Sequence, residues 1–136
     1  MRSTSCGKIH PMNVLPIDTF LPQIISLLSR QRALVLTAEP GAGKTTRVPP
    51  ALLEAGILTA NAPHIVVLQP RRIAAKAVAS RIAQERGWTL GNQVGYQVRM
   101  EKLLRADTAL RIMTEGILAR QLLDDPSLEH VGAVIR

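Results

Sequence analysis

Apolar positions along the chain follow two different spacings, and these predict an alternation of helices and strands. Leu21, Ile24, Ile25 and Leu28 fall at i, i+3, i+4 and i+7, the stripe of a helix packed on one face, within residues 17–31. Pro22 lies in its first turn, where a missing N–H costs little. The run Ala33-Leu34-Val35-Leu36 predicts a short buried strand over 33–37. Residues 44–55 read as a helix stopped by Gly56, with Pro49 expected to kink or shorten it after its first turns. His64-Ile65-Val66-Val67-Leu68-Gln69 is nearly all apolar and β-branched, as a strand covered on both faces reads, and His64 at its start is read as structural. A helix follows to about Arg86, with Ala75, Val78, Ala79 and Ile82 on one face and Gly87 closing it. Residues 88–108 are mixed, with a short strand over Val94–Arg99 that leaves Arg99 exposed. Residues 109–113 predict another strand, and Thr114 caps a helix running to about Leu123, which Asp124-Asp125-Pro126 ends. Residues 131–135 begin one more buried strand. Residues 1–16 are polar and interrupted by proline; residues 1–13 are assigned to a flexible N-terminal arm, with Met12 an alternative start, and 14–136 to a single domain.

Strands alternating with helices predict an α/β fold with a mainly parallel sheet and flanking helices. The chain has 136 residues, of which 46% are apolar and only 2% aromatic, so its core is built from Ala, Val, Leu and Ile. A formal charge of +7 suits a polyanion such as nucleic acid; a loss of acidic residues lying further on would give the same balance. Cys6 stands alone, which excludes an intramolecular disulfide or a cysteine metal cluster and fits a reducing cytoplasm. No apolar run approaches the roughly 20 residues of a membrane helix, and no apolar core follows Arg2 and Lys8 as in a secretory signal, so no membrane partner is expected.

The candidate chemistry centres on Ala38-Glu39-Pro40-Gly41-Ala42-Gly43-Lys44-Thr45, set between the predicted strand and helix. Glycines let successive N–H groups point inward as a nest for phosphate oxygens, and the helix that follows adds its free N–H groups and positive dipole end. Lys44 then reaches the terminal phosphates, and the Thr45 hydroxyl holds a Mg²⁺ that bridges them. The competing reading is an ordinary glycine turn with a chance Lys-Thr. Arg71 and Arg72 follow the strand over 64–69 at its carboxyl end, where open α/β sheets bind ligands. Two guanidiniums there are either a phosphate clamp or a solvated basic turn, and residue chemistry alone leaves both open.

Ala38 replaces the first glycine of the usual phosphate-loop pattern, and A-x-x-G-x-G-K-T resembles motif I of superfamily 2 helicases. Three further segments extend the likeness: Gln69-Pro70-Arg71-Arg72-Ile73-Ala74-Ala75 is similar to motif Ia, Val94-Gly95-Tyr96-Gln97-Val98-Arg99 to a V-G-Y-x-x-R segment, and Met113-Thr114-Glu115-Gly116-Ile117-Leu118 to motif Ib. The chain thus resembles, over roughly residues 14–135, the first part of the first RecA-like P-loop NTPase domain of a DEAH-box (DExH) ATP-dependent RNA helicase, most closely the bacterial HrpB-type branch. Pro49 then becomes a family feature. The resemblance implies ATP and Mg²⁺ as cofactors, bound by Ala38, Pro40, Gly41, Ala42, Gly43, Lys44, Thr45 and Thr46. Lys44 and Thr45 would be catalytic, with Thr45 on the metal. Arg71, Arg72 and Thr114 would hold the backbone of single-stranded RNA or another nucleic acid.

In that family, the strand at 131–135 runs into Asp-Glu-x-His, and a second RecA-like domain supplies arginine fingers. Domain 14–136 is therefore expected to be partial, truncated before Asp-Glu-x-His and incomplete at its C-terminal side. Since an arginine finger alone is worth about 10³–10⁵ in rate, this chain by itself is expected to be inactive or nearly so. Two readings follow: the ATP-binding part of a helicase that couples ATP hydrolysis to nucleic-acid remodelling, or an inactive fragment that only binds nucleotide or nucleic acid. A small P-loop kinase would explain the loop but neither Pro70-Arg71-Arg72 nor Thr114-Glu115-Gly116.

Overall fold

The computed structural model describes residues 13–136, so the arm reading of residues 1–12, Cys6 and Met12 all lie outside the described residues. A five-residue 3₁₀ turn, Pro16–Phe20, leads into α1 (Leu21–Arg30), followed by α2 (Lys44–Glu54), β1 (His64–Gln69), α3 (Arg72–Arg86), β2 (Val94–Val98), β3 (Glu101–Leu103), β4 (Leu110–Thr114), α4 (Glu115–Asp124) and β5 (Val131–Ile135). The sheet order is β3-β2-β4-β1-β5. β1 pairs in parallel with β4 and β5, and β2 with β4; β2 and β3 are antiparallel. This is the mainly parallel α/β sheet that the apolar runs predict.

Strand alternation sorts the core onto two faces. Ile65 and Val67 of β1, with Leu110 and Ile112 of β4, pack against the Ala75, Ala79 and Ile82 face of α3 and against Val48 and Leu52 of α2. Val66 and Met113 point the other way and are covered by Leu118 of α4. Small alanines on α3 let that helix lie close to the sheet, which is how a core nearly devoid of aromatic rings stays filled. Gly87 ends α3 in the left-handed region at φ 67°, as expected.

Several expectations fail, each for a physical reason. No strand forms over 33–37. Among the described residues the backbone groups of this segment bond to no other backbone group, and Val35 is 90% exposed. Its apolar run satisfies the side-chain pattern, but pairing also needs a strand edge within reach. Both edges of β1 are taken by β4 and β5, and a cavity separates the segment from β5. β5 is in consequence half-covered rather than buried, with Val134 47% exposed. Pro49 does not shorten α2, which runs through both Pro49 and Pro50 to Glu54. Both rings are fully buried, so packing holds the helix where two intrahelical bonds are lost. Residues 13–16, expected in a loose arm, are anchored: the Asn13 carbonyl accepts a hydrogen bond from Arg47 and Leu15 packs on the core. Thr114 does occupy the cap position of α4, but its hydroxyl makes no capping bond. β3 was not foreseen, because its three residues are all exposed and carry no alternation.

Candidate nucleotide and nucleic-acid site

The phosphate loop is built by two left-handed glycines. Gly41 has φ 84° and Gly43 φ 99°, the latter as the residue preceding α2. Where a Cβ would stand at Gly41 nothing lies within 4 Å, so the loop is open to a ligand on that side. The turn is closed by the Ala42 amide donating to the Glu39 carbonyl at 3.1 Å. Among the described residues the amides of Gly41, Gly43, Lys44, Thr45 and Thr46 donate to no carbonyl. These free donors, at the start of an eleven-residue helix, fit an anion such as a polyphosphate. Lys44 Nζ donates to the Ala38 carbonyl at 2.8 Å, so the ammonium is folded back over the loop.

Lys44 and Thr45 also line a cavity of about 860 Å³ that opens between α1, the segment before the loop and β5, and that reaches Leu68 and Gln69 at the carboxyl end of β1. Pro40 is exposed on the loop, while Ala38 and Thr46 are half-buried and Ala42 is buried. The structure thus brings Ala38, Pro40, Gly41, Ala42, Gly43, Lys44, Thr45 and Thr46 into one continuous turn and first helical turn.

The arginines lie on the same edge of the sheet. Gln69 and Thr114 are register partners in parallel strands, so Arg71 and Arg72, just beyond β1, and Thr114, last in β4, cluster at one carboxyl edge. Arg71 and Arg72 are exposed; Thr114 is half-buried. Arg99 follows β2 at that edge and is exposed as expected. The β2–β3 turn is tied to α3 by Glu101, which takes Lys76 Nζ at 3.0 Å and the Tyr96 hydroxyl, while Lys76 lies 5.7 Å from the centre of the Tyr96 ring. The Tyr96 hydrogen bond, then Lys76 and the charge of Arg72, hold the Glu101 carboxyl below the usual carboxylate range. The same bond raises Tyr96. The sequence places Tyr96 in the V-G-Y-x-x-R segment without indicating a role for it or for Glu101; their five-residue spacing across a turn was the available signal. Nor does the sequence single out Arg47, buried at 3% exposure behind the loop, since its partners are distant in sequence.

At the opposite, amino end of the strands, His64 Nε2 accepts from Arg111 Nη2 at 3.3 Å, and the His64 and His130 rings meet edge to face. Burial, then the charge of Arg111, lowers the pKa of His64. This agrees with the structural role read for His64. Among the described residues no helix is long and apolar enough to cross a membrane.

No protein-family model matches the chain. Curated relatives do. The chain is 40% identical over 121 residues to a probable ATP-dependent RNA helicase DHX35 homolog of Caenorhabditis elegans, covering 89% of this chain and 16% of that protein. It is 42% identical over 137 residues to ATP-dependent RNA helicase DHX30 of Gallus gallus, covering 98% and 11%. Among solved structures, the Escherichia coli DEAH/RHA helicase HrpB superposes with a TM-score of 0.81 at 38% identity, over 88% of this chain and 15% of that one. A second HrpB structure, described as a DExH-box NTPase, gives 0.82 at 37% identity, over 90% and 15%. The chain therefore spans no more than about one-sixth of the length of these relatives. Likeness in sequence and in backbone agree that this chain is homologous to the N-terminal, RecA-like region of DEAH-box (DExH) RNA helicases, with HrpB-type likeness.

Proposed function

We propose that this chain is the ATP-binding part of an ATP-dependent RNA helicase, a protein that couples ATP hydrolysis to remodelling of nucleic acid. The observation that carries the reading is that Lys44 and Thr45 of the phosphate loop share a cavity with Gln69 at the carboxyl end of β1, the sheet edge that Arg71, Arg72 and Thr114 also occupy. In this reading Gly41, Ala42, Gly43, Lys44, Thr45 and Thr46 hold the triphosphate. Lys44 leaves the Ala38 carbonyl to neutralise charge on the terminal phosphates, and Thr45 holds Mg²⁺. A Mg²⁺ held there by Thr45 would supply charge neutralisation to the phosphates. Arg71, Arg72 and Thr114 grip the backbone of single-stranded RNA, which positions a strand without reading its sequence. A second RecA-like domain would complete the hydrolytic site. The single cysteine of this sequence supports a reducing cytoplasm as the proposed compartment.

A second reading is supported by the unpaired segment 33–37, which leaves the loop without a strand behind it. On that reading the 136-residue chain binds nucleotide or nucleic acid but does not turn ATP over. Steady-state ATP hydrolysis, with and without single-stranded RNA, separates the two, since RNA-stimulated turnover would exclude the second. Nucleotide binding itself is tested by Lys44→Ala. Titration with a fluorescent ATP analogue should show weaker binding with an unchanged circular dichroism spectrum. Equal affinity in both proteins would remove the loop from the binding site.

A further inference from the structure

Arg47 is a charge buried behind the phosphate loop that nucleotide binding does not use. It sits on the first turn of α2, between Thr46 and Val48, and is 3% exposed. Its three donor nitrogens reach three different pieces of chain. Nη1 meets Asp18 Oδ2 at 2.5 Å, Nη2 donates to the Asn13 carbonyl at 2.5 Å, and Nε donates to Glu85 Oε1 at 3.1 Å. The other oxygen of Glu85 takes Arg81 Nε at 2.6 Å. A guanidinium stripped of water is tolerated only with such full pairing.

The arms differ in what lies beyond them. Asp18 Oδ2 also accepts from the Leu15 amide at 2.8 Å, which fixes the turn over residues 15–18. That turn is seated on the loop: the Ile17 amide donates to the Ala42 carbonyl at 3.1 Å. The Leu15 and Ile17 side chains stand 2.7 and 3.1 Å from where a Cβ on Gly43 would be. The Arg47 amide closes the circuit on the Gly43 carbonyl at 2.8 Å. A ring of contacts thus runs from the guanidinium through Asp18, Leu15 and Ile17 to Ala42 and Gly43, and back to Arg47. The Glu85 arm leads to α3 and touches no loop residue.

We propose that Arg47 and Asp18 are positioning residues: their ion pair presses the 15–18 turn against Ala42 and Gly43 and sets the curvature of the loop, and with it nucleotide affinity. The affinity clause rests on the triphosphate reading above; the loop-shaping clause does not. A merely structural ion cluster would respond alike to loss of either carboxylate. A positioning pair responds only to Asp18.

The test compares Asp18→Ala, Asp18→Asn and Glu85→Ala in the 136-residue chain, with amide hydrogen exchange and titration by a fluorescent ATP analogue with Mg²⁺, at a temperature where circular dichroism shows each folded. Asp18→Ala should speed exchange at the Ile17 and Ala42 amides by about tenfold or more, the scale of one charge-assisted hydrogen bond. Amides of β1 and β4 should stay protected, and analogue binding should weaken by a similar factor. Asp18→Asn, which keeps an acceptor oxygen, should recover part of both effects, and it serves alone if the alanine variant does not fold. Glu85→Ala should leave exchange in the loop and analogue affinity as they are. Unchanged exchange at Ile17 and Ala42 in the Asp18 variants, or equal acceleration in Glu85→Ala, overturns the proposal. If the native chain fails to bind the analogue, the triphosphate reading falls, and the exchange pattern alone decides whether the pair shapes the loop.

Discussion

Gly43→Ala is the most demanding single change for this loop, and its cost can be worked from two separate causes. At φ 99° an L-residue occupies the left-handed region, which costs about 1–2 kcal/mol. The new methyl also has no room: Leu15 Cδ1 would stand at 2.7 Å, Ile17 Cγ2 at 3.1 Å and Leu15 Cβ at 3.2 Å. Forcing a methyl into a filled site costs about 1–3 kcal/mol more. Alanine returns roughly 0.4–1 kcal/mol by restricting the unfolded chain. The net loss is about 3 kcal/mol, a large part of the roughly 5–15 kcal/mol that holds a domain folded. Gly41→Ala is the internal control. Its φ of 84° brings the same backbone strain, but nothing lies within 4 Å of its Cβ. It should therefore cost only about 1 kcal/mol or less. Urea unfolding followed by circular dichroism reads the contrast. With a slope of about 1–3 kcal/mol/M, a difference of about 2 kcal/mol separates the two midpoints by roughly 1 M. Coincident midpoints for the two variants would refute the claim that the 15–18 turn is packed against the loop.

Two further outcomes are expected. Changing Arg71 and Arg72 together to alanine should lower affinity for a single-stranded RNA oligonucleotide and, if each guanidinium neutralises one phosphate, reduce the slope of log K against log salt by about 1.4; an unchanged slope in fluorescence anisotropy would count against a phosphate grip. His64 is held below its ordinary value of 6.5 by burial and by Arg111, so the unfolded chain binds its proton first as the pH falls. The stability it contributes is full above about pH 6.5 and is lost as the pH falls through its folded value. His64→Gln should flatten that acid limb in urea midpoints taken between pH 7.5 and 5.5, and an equal slope in both proteins would contradict it.

What the sequence made legible were features whose cause is local. The β1 run is apolar throughout because both its faces are covered, and the alanine stripe of α3 has helical spacing because one face meets the sheet. The loop was legible because glycines and Lys-Thr must stand at fixed spacing to present amides to an anion. The features that escaped depend on distant partners. Leu34 and Leu36 carry a strand pattern, yet whether a strand forms depends on an edge far along the chain. Pro49 and Pro50 break a helix locally, and only the burial of both rings offsets that. Arg47 is a polar residue between helix positions until Asp18 and Glu85 are brought to it.

The strand order has a consequence for how the chain comes together. β1 lies between β4 and β5, both of which follow it by more than forty residues. During synthesis, β1 emerges with neither neighbour in existence, and α2 with no finished sheet to dock on. The loop and its helix must wait until residues 110–114 arrive and close a long detour of chain, an entropic cost that local contacts cannot repay. Folding should accordingly be slow for a domain of this size, as it is wherever non-local strand pairing dominates. The part of the molecule that reads most clearly as chemistry is then among the last to acquire its shape.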